Sequence, residues 1–330
     1  MIFTSLLSDR TTYQKRRRLL IVAFIIAELL LLVTTSQGKP AFASAPYYTY
    51  SYYMTNQSNI TYAAYQLGCG QGTTDRNSGQ NRDDIMIIDF GAQYNNGGNW
   101  GAVYPAQNVY TISEANIHAA AVQVAAGYYQ CLANANSSTL VIAVGTNNSG
   151  SQTNSTAGAR WAQMVNSIEQ DIINQGFSGH ANANGATDTE LDWSTSTSAK
   201  NWINGYIGSA NRRYYNFGDA AGCPPYGSCN HGWTQDDIWY VSWGASGPYS
   251  FVIPEIYYNG NQTEWQQISL YGAINKNSRI LFSGALTQQG SCGGCGYSPS
   301  AGWQALYDAV NSDSRTAQSI IAWSTDIRYE

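Results

Sequence analysis

The segment Thr187-Asp188-Thr189-Glu190-Leu191-Asp192-Trp193 places three carboxylates at alternate positions. On a β-strand, alternate side chains share a face. Asp188, Glu190 and Asp192 then point together, with Thr189, Leu191 and Trp193 behind them. Neighbours on one face lie ~6.5–7 Å apart, close enough for like charges to repel. Such crowding is a poor way to stabilise a sheet and a good way to hold a proton on one carboxyl. Hydrolysis of a glycosidic bond uses one protonated and one ionised carboxyl across a sugar. Glu190 is the first choice for the acid, and Asp188, Glu255 or Asp89 for its partner. Sequence gives no separation between them, so retaining and inverting outcomes both stay open.

Other acids recur where apolar runs end. Asp89 closes Ile85–Phe90, Asp219 follows Asn216-Phe217-Gly218, Glu255 lies in Pro254-Glu255-Ile256-Tyr257, and Asp326 follows Trp323-Ser324-Thr325. Asp192, Asp219 and Asp326 are expected to face ligand beside the acid pair. Aromatic rings stack on the apolar faces of sugars without adding charge. Trp193, Trp243, Tyr257 and Trp323 are the candidates for that role. The bland alternatives are helix-capping aspartates and core-filling tryptophans.

The elements that must position these residues alternate between strand and helix. Strands are expected at 85–90, 140–144, 186–192, 214–217, 238–243, 250–257, 280–286 and 319–324. Helices are expected at 113–130, with Ser113 as N-cap, and at 158–174, 198–212, 263–271 and 301–310. Eight strands with helical crossovers predict an α/β fold, an irregular (β/α)8 TIM-like barrel over 83–330. The crossover after Trp243 leaves no room for a helix. Residues 44–82 show no period and read as an irregular N-terminal extension. An open doubly wound sheet is the alternative, but no Gly-rich phosphate loop follows the first strand.

Residues 1–43 read as a secretory signal peptide. Lys15 to Arg18 is basic, Leu19 to Val33 is apolar apart from Glu28, and Ala41-Phe42-Ala43 offers a cleavage site. Retention as a membrane anchor is the alternative; after cleavage no membrane contact is expected. Export permits disulfides. The local pairs Cys223–Cys229 and Cys292–Cys295 leave Cys69 with Cys131, while a zinc site or a redox Cys-Gly-Gly-Cys are competing uses.

Only 11% of residues are charged and the net charge is −5, with no basic patch beyond residue 43, so nucleic acid is excluded as a partner. His118, His180 and His231 lack metal-ligand spacing, and no Gly-x-Ser-x-Gly elbow appears. No cofactor and no metal are called for, although clustered aspartates can hold a cation.

The arrangement resembles the glycoside-hydrolase-like TIM barrels of secreted bacterial proteins, and more loosely the family-25 lysozyme-type muramidases. The similar motifs are Ile88-Asp89-Phe90-Gly91, Asp188-Thr189-Glu190 and Trp323-Ser324-Thr325-Asp326. The resemblance implies Asp89 at the end of a first strand, Glu190 as acid, and Asp89, Asp188 and Asp326 as carboxylates around it. The polar Asn182-Ala183-Asn184-Gly185 departs from the apolar run usual there. The expectation is a secreted glycosidase acting on a polysaccharide or cell-wall glycan. A non-catalytic glycan-binding barrel and a structural surface protein are the alternatives.

Overall fold

A computed structural model describes residues 44–55, 58–104, 110–245 and 249–330. The signal-like stretch 1–43 lies outside the described residues.

Ten strands are present among the described residues: β1 (Tyr48–Tyr53), β2 (Asp83–Asn96), β3 (Asn99–Tyr104), β4 (Tyr110–Ser113), β5 (Thr139–Asn147), β6 (Ala181–Asp188), β7 (Tyr214–Asn216), β8 (Ser250–Val252), β9 (Gly284–Thr287) and β10 (Trp323–Tyr329). The parallel order β8-β7-β6-β5-β2-β1-β10-β9 turns back on itself. Parallel bridges Val252–Phe282 and Glu255–Leu286 join its two ends. Eight parallel strands thus make a nearly closed (β/α)8 barrel. The helices between them are α1 (Ile60–Ser78), α2 (Glu114–Leu132), α3 (Ser155–Asn174), α4 (Ser196–Ser209), α5 (Gln235–Trp239), α6 (Asn261–Asn275) and α7 (Pro299–Val310).

The expected irregular segment 44–82 is instead the first strand and first helix of the barrel. β1 escapes a search for apolar runs because two of its three inward residues, Thr49 and Ser51, are polar, with Tyr53 the third. The sheet accepts them because their hydroxyls are bonded: Ser51 Oγ lies 2.8 Å from Thr325 Oγ1, and Thr49 donates to Ile85 O at 2.6 Å. The expected strand 238–243 is helical, running through α5 into a π-helical turn at Tyr240–Gly244. Thr234 and Asp237 form a capping box at its start. Trp239 and Trp243, one helical turn apart, both donate their indole N–H to Ser278. This helix supplies the crossover that the sequence reading left empty.

Side chains of alternating strand residues fill the barrel. Ile85, Ile87, Ala143, Ala186, Tyr215, Phe217, Ile253, Leu286 and Ile327 form its core. Each fully buried large aliphatic among them contributes about 1.5–3 kcal/mol of transfer free energy. β2 leaves the barrel at Gly91, whose φ of +83° and contact with Val103 O exclude a Cβ. Its register shifts between Asp89 and Ala92, and the strand then pairs antiparallel with β3. The β2–β3–β4 meander therefore stands above the barrel mouth.

Three disulfides are formed: Cys69–Cys131 ties α1 to α2, Cys223–Cys229 closes the loop before α5, and Cys292–Cys295 closes the loop before α7. Among the described residues no helix is long and apolar enough to cross a membrane.

Candidate active site

β6 shows Ala186 to the barrel core, so Asp188, two residues on, faces inward at the C-terminal mouth. Asp188 is 3% exposed and its Oδ1 has no hydrogen-bond partner among the described residues. The strand ends there rather than at 192, and Glu190 rides on the following turn. The Asn148 side chain holds that turn from both sides. Its Oδ1 accepts from Glu190 N at 3.0 Å, while its Nδ2 donates to Glu190 O at 2.8 Å and to Ser194 Oγ at 2.9 Å. Gly218 lets the end of β7 approach Thr189, since a Cβ there would sit 2.2 Å from Thr189 O.

Extended chain continues beyond β8, so Phe251, Ile253, Glu255 and Tyr257 alternate onto the inner face. Glu255 N donates to Gly218 O at 3.1 Å and Ile256 N to Leu286 O at 2.8 Å, which fixes the segment between its neighbours. Tyr257 OH donates to Glu255 Oε1 at 2.6 Å. One carboxylate oxygen each of Asp188, Glu190 and Glu255 lies within 4.8 Å of the other two.

Burial is the main reason these acids hold protons. It pushes Glu190 up to about 8, with Asp219 and Asp192 adding repulsion and a hydrogen bond with Glu255 acting the other way. Glu255 is raised well above the ordinary range by burial, then by the charges of Glu190 and Asp188, while the Tyr257 phenol opposes the shift. Asp188 is raised by burial and then by Glu190, Asp89 and Asp219. Asp89, fully buried on β2, is pushed to about 7 by burial despite the N–H groups of Gly91 and Phe90. A trio so crowded retains at least one proton at neutral pH.

The remaining expected residues divide. Asp89 faces the same interior, but on the second barrel strand rather than the first, since β1 precedes it. Asp219 lies at the mouth, accepts from the N–H groups of Leu191 and Ala221, and is pushed to about 6 by burial. Asp192 is exposed and pairs with His231 at 2.8 Å, because the turn after Asp188 breaks the alternation assumed for it. Trp193 is 44% exposed and lines the cleft. Tyr257 is buried and serves Glu255 as donor instead of offering a stacking face.

Three expectations are overturned. Trp243 packs on the crossover helix, donating to Ser278 Oγ at 2.9 Å. Trp323 sits at the opposite end of the barrel, because it begins β10; its indole donates to Asp83 O at the start of β2. Asp326 faces out of the barrel, since Ile327 and Trp323 of the same strand face in. It accepts from Thr287 Oγ1 and Gly290 N and caps the loop after β9. The lysozyme-like reading of Asp89 and Asp326 does not fit this placement.

Beside Asp188 opens a cleft of about 870 Å³ reaching along β5, β2 and β1 to Tyr329. Tyr53, Tyr94 and Tyr104 line it, none of them singled out by the sequence reading. Their signal was only the high tyrosine content, which does not say which rings converge. Asp188, Glu190 and Glu255 have the hard oxygen donors that a divalent cation prefers.

No family profile matches the sequence, and no curated protein matches it. Among solved structures, the endo-1,4-β-mannanase of Rhizomucor miehei is similar over 89% of this chain and 87% of its own, at 11% sequence identity and a TM-score of 0.41.

Proposed function

We propose that the protein is a secreted glycoside hydrolase that cleaves a polysaccharide with retention of configuration. One observation carries the reading: Glu190 and Glu255 from different elements meet within 4.8 Å at the mouth of a barrel, next to Asp188, which lines an open cleft. Retaining enzymes hold their two carboxyls about 5–5.5 Å apart, and inverting enzymes about 6.5–9.5 Å. The close pair favours retention.

Glu190, on the more open turn, acts as the acid. Its proton passes to the glycosidic oxygen as the bond from that oxygen to the anomeric carbon breaks. Glu255 acts as the nucleophile, its carboxylate held by the Tyr257 hydroxyl, and forms an ester to that carbon. Water then breaks the ester, giving its proton to Glu190 and restoring Glu255. Burial, with repulsion from Asp219 and Asp192, keeps the proton on Glu190. Three disulfides suit an oxidising compartment and support export.

The test is hydrolysis across a glycan panel, with anomeric configuration followed by NMR and Glu190→Gln as the comparison. The substitution is expected to lower kcat by about 10²–10⁴-fold, the range of general acid catalysis. Equal rates in both proteins would remove Glu190 from its role, and an inverted product would remove Glu255 as nucleophile. A chelator is expected to leave the rate unchanged. Loss of activity restored by calcium would favour a cation held by the three carboxylates.

A further inference from the structure

The same cleft carries information about which polysaccharide it takes. Its described lining contains no Lys, Arg or His, and Asp188 is its one carboxylic acid. The undescribed stretches 56–57, 105–109 and 246–248 contain none of these cations either. Residues 44–330 hold ten Lys and Arg against nineteen Asp and Glu. Five of those acids, Asp89, Asp188, Glu190, Asp219 and Glu255, lie at the mouth or just beneath it. An anionic sugar placed here would lose its hydration and meet no cation.

What the cleft offers instead is rings and amides. Trp193 stands at the β6 end. Tyr53 packs against Tyr329 at 5.3 Å and Tyr104 at 5.8 Å between centroids, making an aromatic wall at the β1 and β10 end. Asn147 lies between them. Its carboxamide oxygen accepts from Ser149, leaving the NH2 without a partner among the described residues and available to a hydroxyl. Four inter-strand steps separate β6 from β10, roughly 19 Å around the rim and about 12 Å straight across the eight-stranded mouth at the usual strand spacing. That span exceeds a single sugar ring.

Resting on the glycosidase reading, we propose that this cleft binds a run of several uncharged pyranose units. Glycans bearing carboxylates, peptidoglycan with its peptide carboxylates included, are rejected. The substrate is a neutral polysaccharide and not a bacterial cell-wall glycan.

The experiment pairs turnover with binding. The exported chain is assayed on neutral glucan, mannan and xylan, and on polygalacturonate, alginate and peptidoglycan. Oligosaccharides of both sets are titrated calorimetrically into the Glu190→Gln protein. At least one neutral oligosaccharide is expected to bind tenfold or more tightly than every acidic one. Trp193→Ala is expected to weaken it about tenfold, in line with the loss of one stacked aromatic. Gln152→Lys, which adds a cation to the lining, is expected to improve binding of acidic oligosaccharides at low salt. Cleavage of an acidic glycan faster than every neutral one would overturn the substrate class and leave the glycosidase reading intact. Neutral oligosaccharides bound without cleavage of any glycan would overturn the glycosidase reading and leave the ligand class intact. Neither binding nor cleavage would overturn both.

Discussion

The phenol of Tyr257 donates a 2.6 Å hydrogen bond to Oε1 of Glu255, two residues earlier on the same inward face. Both groups are buried, so the bond is not exchanged for water. A carboxylate oxygen that accepts from a phenol is favoured in its ionised form. The bond therefore opposes the burial that drives Glu255 toward its neutral acid. Tyr257→Phe removes the donor and keeps the ring. It is expected to lower kcat about 10–100-fold with KM little changed, because the nucleophile is ionised less often. It also leaves a buried acceptor unsatisfied, at a cost of about 1–3 kcal/mol. Steady-state kinetics and thermal denaturation of the same variant separate the two effects.

The pH profile follows from the acid that must stay protonated. Glu190 is held up to about 8, chiefly by burial, so its proton survives neutrality. Activity is expected to fall above pH 8 with natural substrates. An aryl glycoside with a strongly acidic leaving group needs no proton, so the alkaline limb for its glycosylation step should vanish. The measurement is the pre-steady-state burst of released phenol from pH 5 to 10. A limb that persists with such a leaving group would assign it to a group other than Glu190.

Asn148 positions Glu190 without touching the reacting atoms. It binds both the N–H and the C=O of Glu190 and also Ser194. Asn148→Ala frees the turn, and a displacement of about 1 Å at a catalytic group costs up to about 10²-fold in rate. The loss should be large with poor leaving groups and small with acidic ones, because only the former depend on the acid. A purely structural role would lower both equally, and Asn148→Gln should not rescue, since its longer arm cannot span the same three contacts.

How much of this was legible in the sequence depends on the physical signal involved. Buried parallel strands such as Ile85–Ile88 and Leu140–Val144 announce themselves as apolar runs, and the paired acids at 188 and 190 stand out in a chain so poor in charge. β1 was illegible because hydrogen-bonded hydroxyls replace apolar packing over much of its inner face. Helix 235–244 was mistaken for a strand because a run of aromatic and aliphatic residues fits either period when short. Asp326 was misplaced by a single residue of register: its strand begins at Trp323, so its carboxylate lies on the outer face. Asn148 gave no signal at all, as one amide among many in an Asn-rich chain. Convergence in space, which joins Glu190 to Glu255 across 65 positions of sequence, follows from barrel closure and from nothing local.

Away from the mouth, Asp84 provides a test of stability. It is 4% exposed and lies between β2 and the α1–α2 pair, where Gln71 Nε2 bridges it at 2.8 Å to Asp75 at 2.9 Å. Asp75 also accepts from Tyr128 OH at 2.7 Å and faces Arg82 at 3.5 Å. Burial first, and then the charge of Asp75, push Asp84 up to about 8. An unfolded aspartate titrates at about 3.9, so the native state binds a proton that the unfolded chain gives up. The stabilisation from that proton is complete below pH 4 and is lost as pH rises toward 8. Asp84→Asn keeps an acceptor for Gln71 and a donor toward Asp75 and never ionises. The variant is expected to match the parent at pH 4 and to be more stable at pH 9 by about 1–2 kcal/mol, a Tm increase of roughly 2–6 °C. Denaturation curves at the two pH values decide it. An equal or lower Tm for the variant at pH 9 would show that Asp84 ionises in the folded protein without penalty.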